Sequence, residues 1–126
     1  MPPLAKLFLT LGALAGALAV VLGAFGAHAL RAKLGPDLLA TWNTAVQYHF
    51  WHALGLVAIG LVAAHLPESG PLRWAGWLMF AGTVLFSGSL YVLAFSGMRW
   101  LGAITPFGGV AFIGGWLALA WAVLRT

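Results

Sequence analysis

The chain has no cysteine among its 126 residues and only two acids, Asp37 and Glu68. The first absence excludes a disulfide framework, a thiolate metal site and a cysteine nucleophile. Both acids fall in connecting segments, so no apolar run contains a carboxylate. There is nothing to orient a catalytic histidine in a triad, and nothing to serve as the intramembrane acid of a small multidrug exporter. Charge is scarce altogether, at 6% of the chain against about 25% in an ordinary soluble domain. Six scattered Lys and Arg give a net charge of +4 without forming a basic run, which excludes nucleic acid as a partner.

Apolar residues fill the space that charge leaves. Hydrophobic residues make up 63% of the chain and the mean hydropathy is +1.01, more apolar surface than a small core can bury. Lipid is therefore the expected solvent. Four long apolar runs follow one another: Leu7 to Ala27, Ala45 to Ala64, Trp74 to Phe95 and Ile104 to Leu124. Each has roughly 20 residues, enough at about 1.5 Å per residue to cross a hydrocarbon core of about 30 Å. No alternating strand pattern is present, and helices satisfy their own backbone groups in lipid. The expected fold is an all-α membrane protein: one domain over residues 1–126, an antiparallel four-helix bundle joined by short loops.

Three local features refine this plan. Ala27-His28-Ala29 has the form of a signal-peptidase site, but the preceding apolar stretch is longer than the 7 to 15 residues of a signal sequence, so a retained helix is expected. Pro36 behind Gly35 is placed to start a helix, and Leu38, Leu39 and Trp42 recur at helical spacing. A short interfacial helix is thus predicted, turning into or continuing as the second span, with Asn43 or Thr44 capping the embedded part. Lys6, Arg73 and Arg125 fall on one side and Arg31, Lys33 and Arg99 on the other, a tie that gives no orientation and would let the chain insert both ways round.

Small residues crowd the runs, with Gly12 and Gly16 in a G-x-x-x-G pair and Gly108, Gly109, Gly114 and Gly115 in the fourth. Helices in lipid associate by close backbone approach over such residues. Packing within one chain is the favoured use; a homo-oligomer is the other. The seven tryptophans fall mostly near run ends, at the expected headgroup level.

The polar residues are unevenly spread. Alternating helices bring His28, Asn43, Gln47, Tyr48, His49, His52, Ser87, Ser89, Tyr91 and Thr105 into one leaflet, and leave the other with little besides Thr10, Thr83 and His65. At about 100° per residue, Asn43, Gln47 and Trp51 share one face of the second helix and Tyr48, His49 and His52 another. That predicts a central helix with neighbours on both faces. The candidate polar pocket comprises His28, Asn43, Gln47, Tyr48, His49, His52, Ser87, Tyr91 and Thr105.

The blocks GAFGAHAL (Gly23 to Leu30), WNTAVQYHFWHAL (Trp42 to Leu54), FSGSLYVLA (Phe86 to Ala94) and ITPFGGVAFIGGW (Ile104 to Trp116) resemble the YgdD-like family of small bacterial inner-membrane proteins. The resemblance implies four spans and the inner membrane. It carries no activity and no ligand residues.

Three functions stay open on these residues. The favoured one is a small non-enzymatic scaffold or accessory protein, its polar half acting as interhelical glue and membrane lipids as its partners. The alternative is transport or binding of a solute, proton, lipid or quinone at the His/Gln/Tyr pocket. The third is a metal or haem site on His28, His49 and His52, weakened because His49 and His52 are three apart and no acid or thiolate is near. No cofactor and no catalytic residue is assigned.

Overall fold

The computed structural model describes residues 1–126, and it is a four-helix bundle. Proline stands in the first turn of every helix: Pro3, Pro36, Pro71 and Pro106. There its fixed φ suits the helix and its missing N–H would have no partner anyway. The first span, α1, is Pro3–Leu30, whose last turn Gly26–Leu30 widens to a π-helix. The second, α2, is Pro36–Ala63. The third, α3, is Gly70–Ser96, capped by Ser69 Oγ accepting from the Leu72 N–H at 3.2 Å and interrupted by a π-turn at Thr83–Ser87. Gly97, at φ +75°, ends it in the left-handed conformation that glycine takes without strain. A 3-10 turn, Arg99–Ala103, leads into α4, Thr105–Leu124.

The spans outrun the apolar runs. α1, α2 and α3 cover 28, 28 and 27 residues, and the fourth span covers 26 when the 3-10 turn from Arg99 is counted with α4, so at about 1.5 Å per residue each is several ångströms longer than a hydrocarbon core of about 30 Å. The interfacial turn after Pro36 is therefore the overhanging start of α2, continuous with the span. The expected cap at Asn43 or Thr44 is corrected accordingly. Thr44 lies inside the helix, where its hydroxyl donates to the Ala40 carbonyl at 3.0 Å.

Neighbouring spans pack in chain order, α1 on α2, α2 on α3 and α3 on α4. Glycine sets how close they come. A Cβ on Gly12 would lie 2.8 Å from the Val57 backbone nitrogen, and one on Gly108 would collide with the backbone of Phe86. Gly12 and Gly108, among the small residues of the apolar runs, thus serve contacts inside the chain. Only 30 of 126 residues are buried, while Leu14, Leu18, Leu54, Leu61, Val110 and Leu117 point outward. Such a surface suits lipid. The larger core cluster, built around Phe8, Leu56, Ile59, Leu72 and Met79, occupies the half with few polar residues; Thr10 and Thr83 there bond carbonyls of their own helices.

Candidate functional site

The two histidines of α2 are three residues apart, and each goes to a different neighbour. His52, 5% exposed, stacks on Phe112 of α4, with ring centroids 3.4 Å apart and planes 11° from parallel. Its Nε2 accepts the Trp116 indole N–H at 3.1 Å, and its Nδ1 lies 2.7 Å from the Tyr48 carbonyl. An indole nitrogen only donates and a carbonyl only accepts. His52 is therefore the neutral Nδ1–H tautomer, with both ring nitrogens satisfied. Tyr48 completes this side, packing on Phe86 of α3 at 4.4 Å and on Trp51 at 5.0 Å.

His49, 3% exposed, turns toward α1 and α3. Its Nδ1 and the Tyr91 hydroxyl share a hydrogen bond of 2.8 Å. Closer to the headgroups, Trp42 donates its indole N–H across to the Leu22 carbonyl of α1 at 2.9 Å, and its ring lies 4.7 Å from Tyr91. Ser87, fully buried in the π-turn of α3, donates to the Ala45 carbonyl of α2 at 2.7 Å. Ser89 and Thr105 join α3 to α4 through hydroxyls 2.7 Å apart. Five side-chain hydrogen bonds thus tie four helices, from one headgroup region to just past the middle of the bundle.

The nine residues of the candidate pocket do not share one cavity. His49 and Tyr91 form one pair, and Tyr48 and His52 belong to the aromatic stack toward α4. Ser87 and Thr105 bond at two separate helix contacts. His28, Asn43 and Gln47 are exposed on the outside of the bundle and meet none of the others. The face holding Asn43, Gln47 and Trp51 looks outward because α1 crosses α2 on the side of Ala53, Val57 and Gly60. No three His, Asp or Glu side chains come together to hold a metal ion. His28 sits at the end of α1, while His49 and His52 are each engaged by a different partner.

Sequence reasoning missed three participants. Trp42 and Trp116, two of the seven tryptophans expected mostly at the headgroup level, both donate inside the bundle. The third is a groove of about 450 Å³ between α1 and α3, with Leu11, Leu14, Leu18, Phe80 and Val84 in its walls and His49 and Tyr91 at its floor. No sequence signal marks it; Gly88 is in its lining, and a Cβ there would meet nothing within 4 Å, so no packing contact requires glycine at that position.

With this geometry in place, the chain can be set beside known proteins. A family model described as "Protein of unknown function (DUF423)" matches residues 22–109, a stretch that includes all nine candidate residues. The chain is similar to the UPF0382 membrane protein YwdK of Bacillus subtilis, 52% identical over 120 residues, which are 95% of this chain and 98% of that one. It is similar to the UPF0382 membrane protein SH2409 of Staphylococcus haemolyticus, 52% identical over 114 residues, 90% of this chain and 92% of that one. A UPF0382 membrane protein of Staphylococcus aureus, SAUSA300_0565, is 48% identical over 120 residues, 95% and 97% of the two chains. No solved structure matches the chain.

Proposed function

The chain belongs to the DUF423 family of membrane proteins of unknown function, and on that premise we propose that it is a non-enzymatic scaffold or accessory protein of the bacterial inner membrane. The observation that carries this reading is that no buried side-chain nitrogen or oxygen lacks a hydrogen-bond partner. A catalytic or transport site keeps polar groups free for a substrate, whereas here the polar interior is engaged in joining helices. An unpaired polar group in hydrocarbon costs several kcal/mol, which is reason enough to pair them. The YgdD-like likeness of the four sequence blocks supports the inner membrane as the location.

The test is reconstitution of the full-length protein in proteoliposomes and measurement of proton leak and solute efflux across a range of pH. Flux equal to that of empty liposomes is expected; protein-dependent flux would overturn the scaffold reading.

Membrane lipids are the partners that the outward apolar surface calls for. A second copy is the further partner that one observation favours: Gln47 is exposed in the spanning part of α2 without a hydrogen-bond partner, beside Val20, Gly23 and Ala24 of α1. An amide there would gain from a hydrogen bond to a second copy. Gln47→Leu should then shift the protein toward monomer in mild detergent; an unchanged distribution counts against association through this face.

A further inference from the structure

Both acids of the chain lie outside the apolar runs, and one of them shares a recess with an arginine. Asp37, Leu38 and Thr41 of α2, Leu93 of α3 and Arg99 of the turn that follows line a cavity of about 410 Å³. We propose that this cavity binds the headgroup of phosphatidylethanolamine, with Arg99 on the phosphate and Asp37 and Thr41 on the ammonium. The proposal rests on the reading of membrane lipids as partners and names the lipid that is held.

Depth restricts the occupant first. α2 has 28 residues, about 42 Å at about 1.5 Å per residue, which matches a bilayer of about 40 to 45 Å with its headgroups included. Asp37, the second residue of that helix, therefore stands among headgroups. Arg99 comes to the same surface because α3 ends at Ser96 and the chain turns at once, with Gly97 left-handed at φ +75° and Ser96 Oγ accepting the Met98 N–H at 3.2 Å. Asp37 and Arg99 are both exposed. They line the cavity without closing into an ion pair, so both charges face whatever enters it.

The donors and acceptors then select the headgroup. A guanidinium presents its N–H groups as a fork that matches the oxygens of a phosphate, whereas a carboxylate only accepts. The Thr41 hydroxyl donates its one hydrogen to the Asp37 carbonyl at 3.1 Å, so toward the cavity it too can only accept. Asp37 and Thr41 are one helical turn apart and stand side by side on α2. The cavity thus offers one cationic donor and two neighbouring acceptors, of which one is an anion. That is the complement of a phosphate linked to a primary ammonium, whose N–H groups all need acceptors. Phosphatidylcholine has the same charges but no N–H for Thr41. Phosphatidylglycerol has no cation for Asp37, and the carboxylate repels its phosphate. Leu38 and Leu93 supply the apolar part of the lining, suited to the first methylenes below the glycerol.

The experiment uses purified full-length protein in dodecylmaltoside, titrated separately with dioleoyl phosphatidylethanolamine, phosphatidylcholine and phosphatidylglycerol. Native mass spectrometry counts adducts, and thermal unfolding reports integrity. Phosphatidylethanolamine should bind tightest, by at least about fivefold over either of the others. Asp37→Asn should bring it down to the level of phosphatidylcholine without weakening phosphatidylglycerol. Thr41→Val should weaken phosphatidylethanolamine several-fold and leave phosphatidylcholine unchanged, and it carries the comparison if Asp37→Asn does not fold. Arg99→Gln should weaken all three. Arg31→Gln removes a cation that lies outside the cavity, and should leave the preference intact. Tightest binding of phosphatidylglycerol would reduce the site to a positive surface that attracts anionic lipid and overturn the proposal, as would a preference that survives in folded Asp37→Asn. Adducts without headgroup preference defeat this proposal alone, whereas no adduct with any of the lipids defeats the reading of lipids as partners as well. Flux enters none of these readouts, so the scaffold reading can fail without this one.

Discussion

Replacing His52 by Phe, Trp116 by Phe, and both together tests whether the polar interior joins helices. His52→Phe keeps an aromatic ring against Phe112 but removes the acceptor for the Trp116 N–H, now 3.1 Å away. Trp116→Phe removes the donor and leaves the Nε2 lone pair facing a ring edge. Interhelical hydrogen bonds in membrane proteins average about 0.6 kcal/mol by double-mutant cycles, with about 1.7 kcal/mol at the upper end. His52 is nearly buried and both its nitrogens are used, so a coupling in the upper part of that range, about 1 to 1.7 kcal/mol, is expected. Steric misfit of the new ring adds to each single variant and largely cancels in the cycle. The assay is equilibrium unfolding of the full-length protein in mixed micelles. The double variant should be less unstable than the sum of the singles by the coupling energy. Additive losses would mean that the two side chains do not interact, and the reasoning about His52 would fall.

Other consequences follow from the same packing. Ser87→Ala removes the hydroxyl that holds α3 to the Ala45 carbonyl and should lower stability by about 0.6 to 1.7 kcal/mol in the same unfolding assay. Gly108→Ala drives a methyl into the Phe86 backbone, which cannot swing aside as a side chain can, and should destabilise by about 1 to 3 kcal/mol; Gly88→Ala, with open space around it, should be neutral or stabilising by up to about 1 kcal/mol. Trp42→Phe loses the bond to Leu22 and should loosen the α1–α2 contact, read as faster hydrogen exchange in Leu22 to Gly26, with unchanged exchange counting against it.

The architecture was legible because its signals are long. Four apolar runs, short loops and Pro36 at the start of the second helix specify a four-span bundle; α2 does stand between neighbours, but its Asn43–Gln47–Trp51 face, expected to meet one of them, is exposed. The inward and outward faces were harder to read, since in lipid both are apolar and hydrophobic periodicity carries little information. The split of α2 into an Asn43–Gln47–Trp51 face and a Tyr48–His49–His52 face follows from angle alone. Which face meets a helix does not; that depends on where Gly12 and Gly60 let α1 approach. The pairing of Tyr91 with His49 and the roles of Trp42 and Trp116 depend on rotations of whole helices, which sequence spacing within one helix cannot supply. The groove was invisible because its defining feature, the missing side chain of Gly88, looks like any packing glycine.

The central claim is that the buried polar side chains are held by hydrogen bonds within the bundle, to one another and to backbone carbonyls, and the protonation pattern of His52 reports it most directly. In lipid bilayers, nitrogen-15 solid-state NMR distinguishes a protonated ring nitrogen from one bearing a lone pair. A protonated Nδ1 and a lone pair at Nε2 are expected, the pattern set by the Tyr48 carbonyl and the Trp116 indole. A proton on Nε2, or a ring averaging between tautomers, would contradict the account.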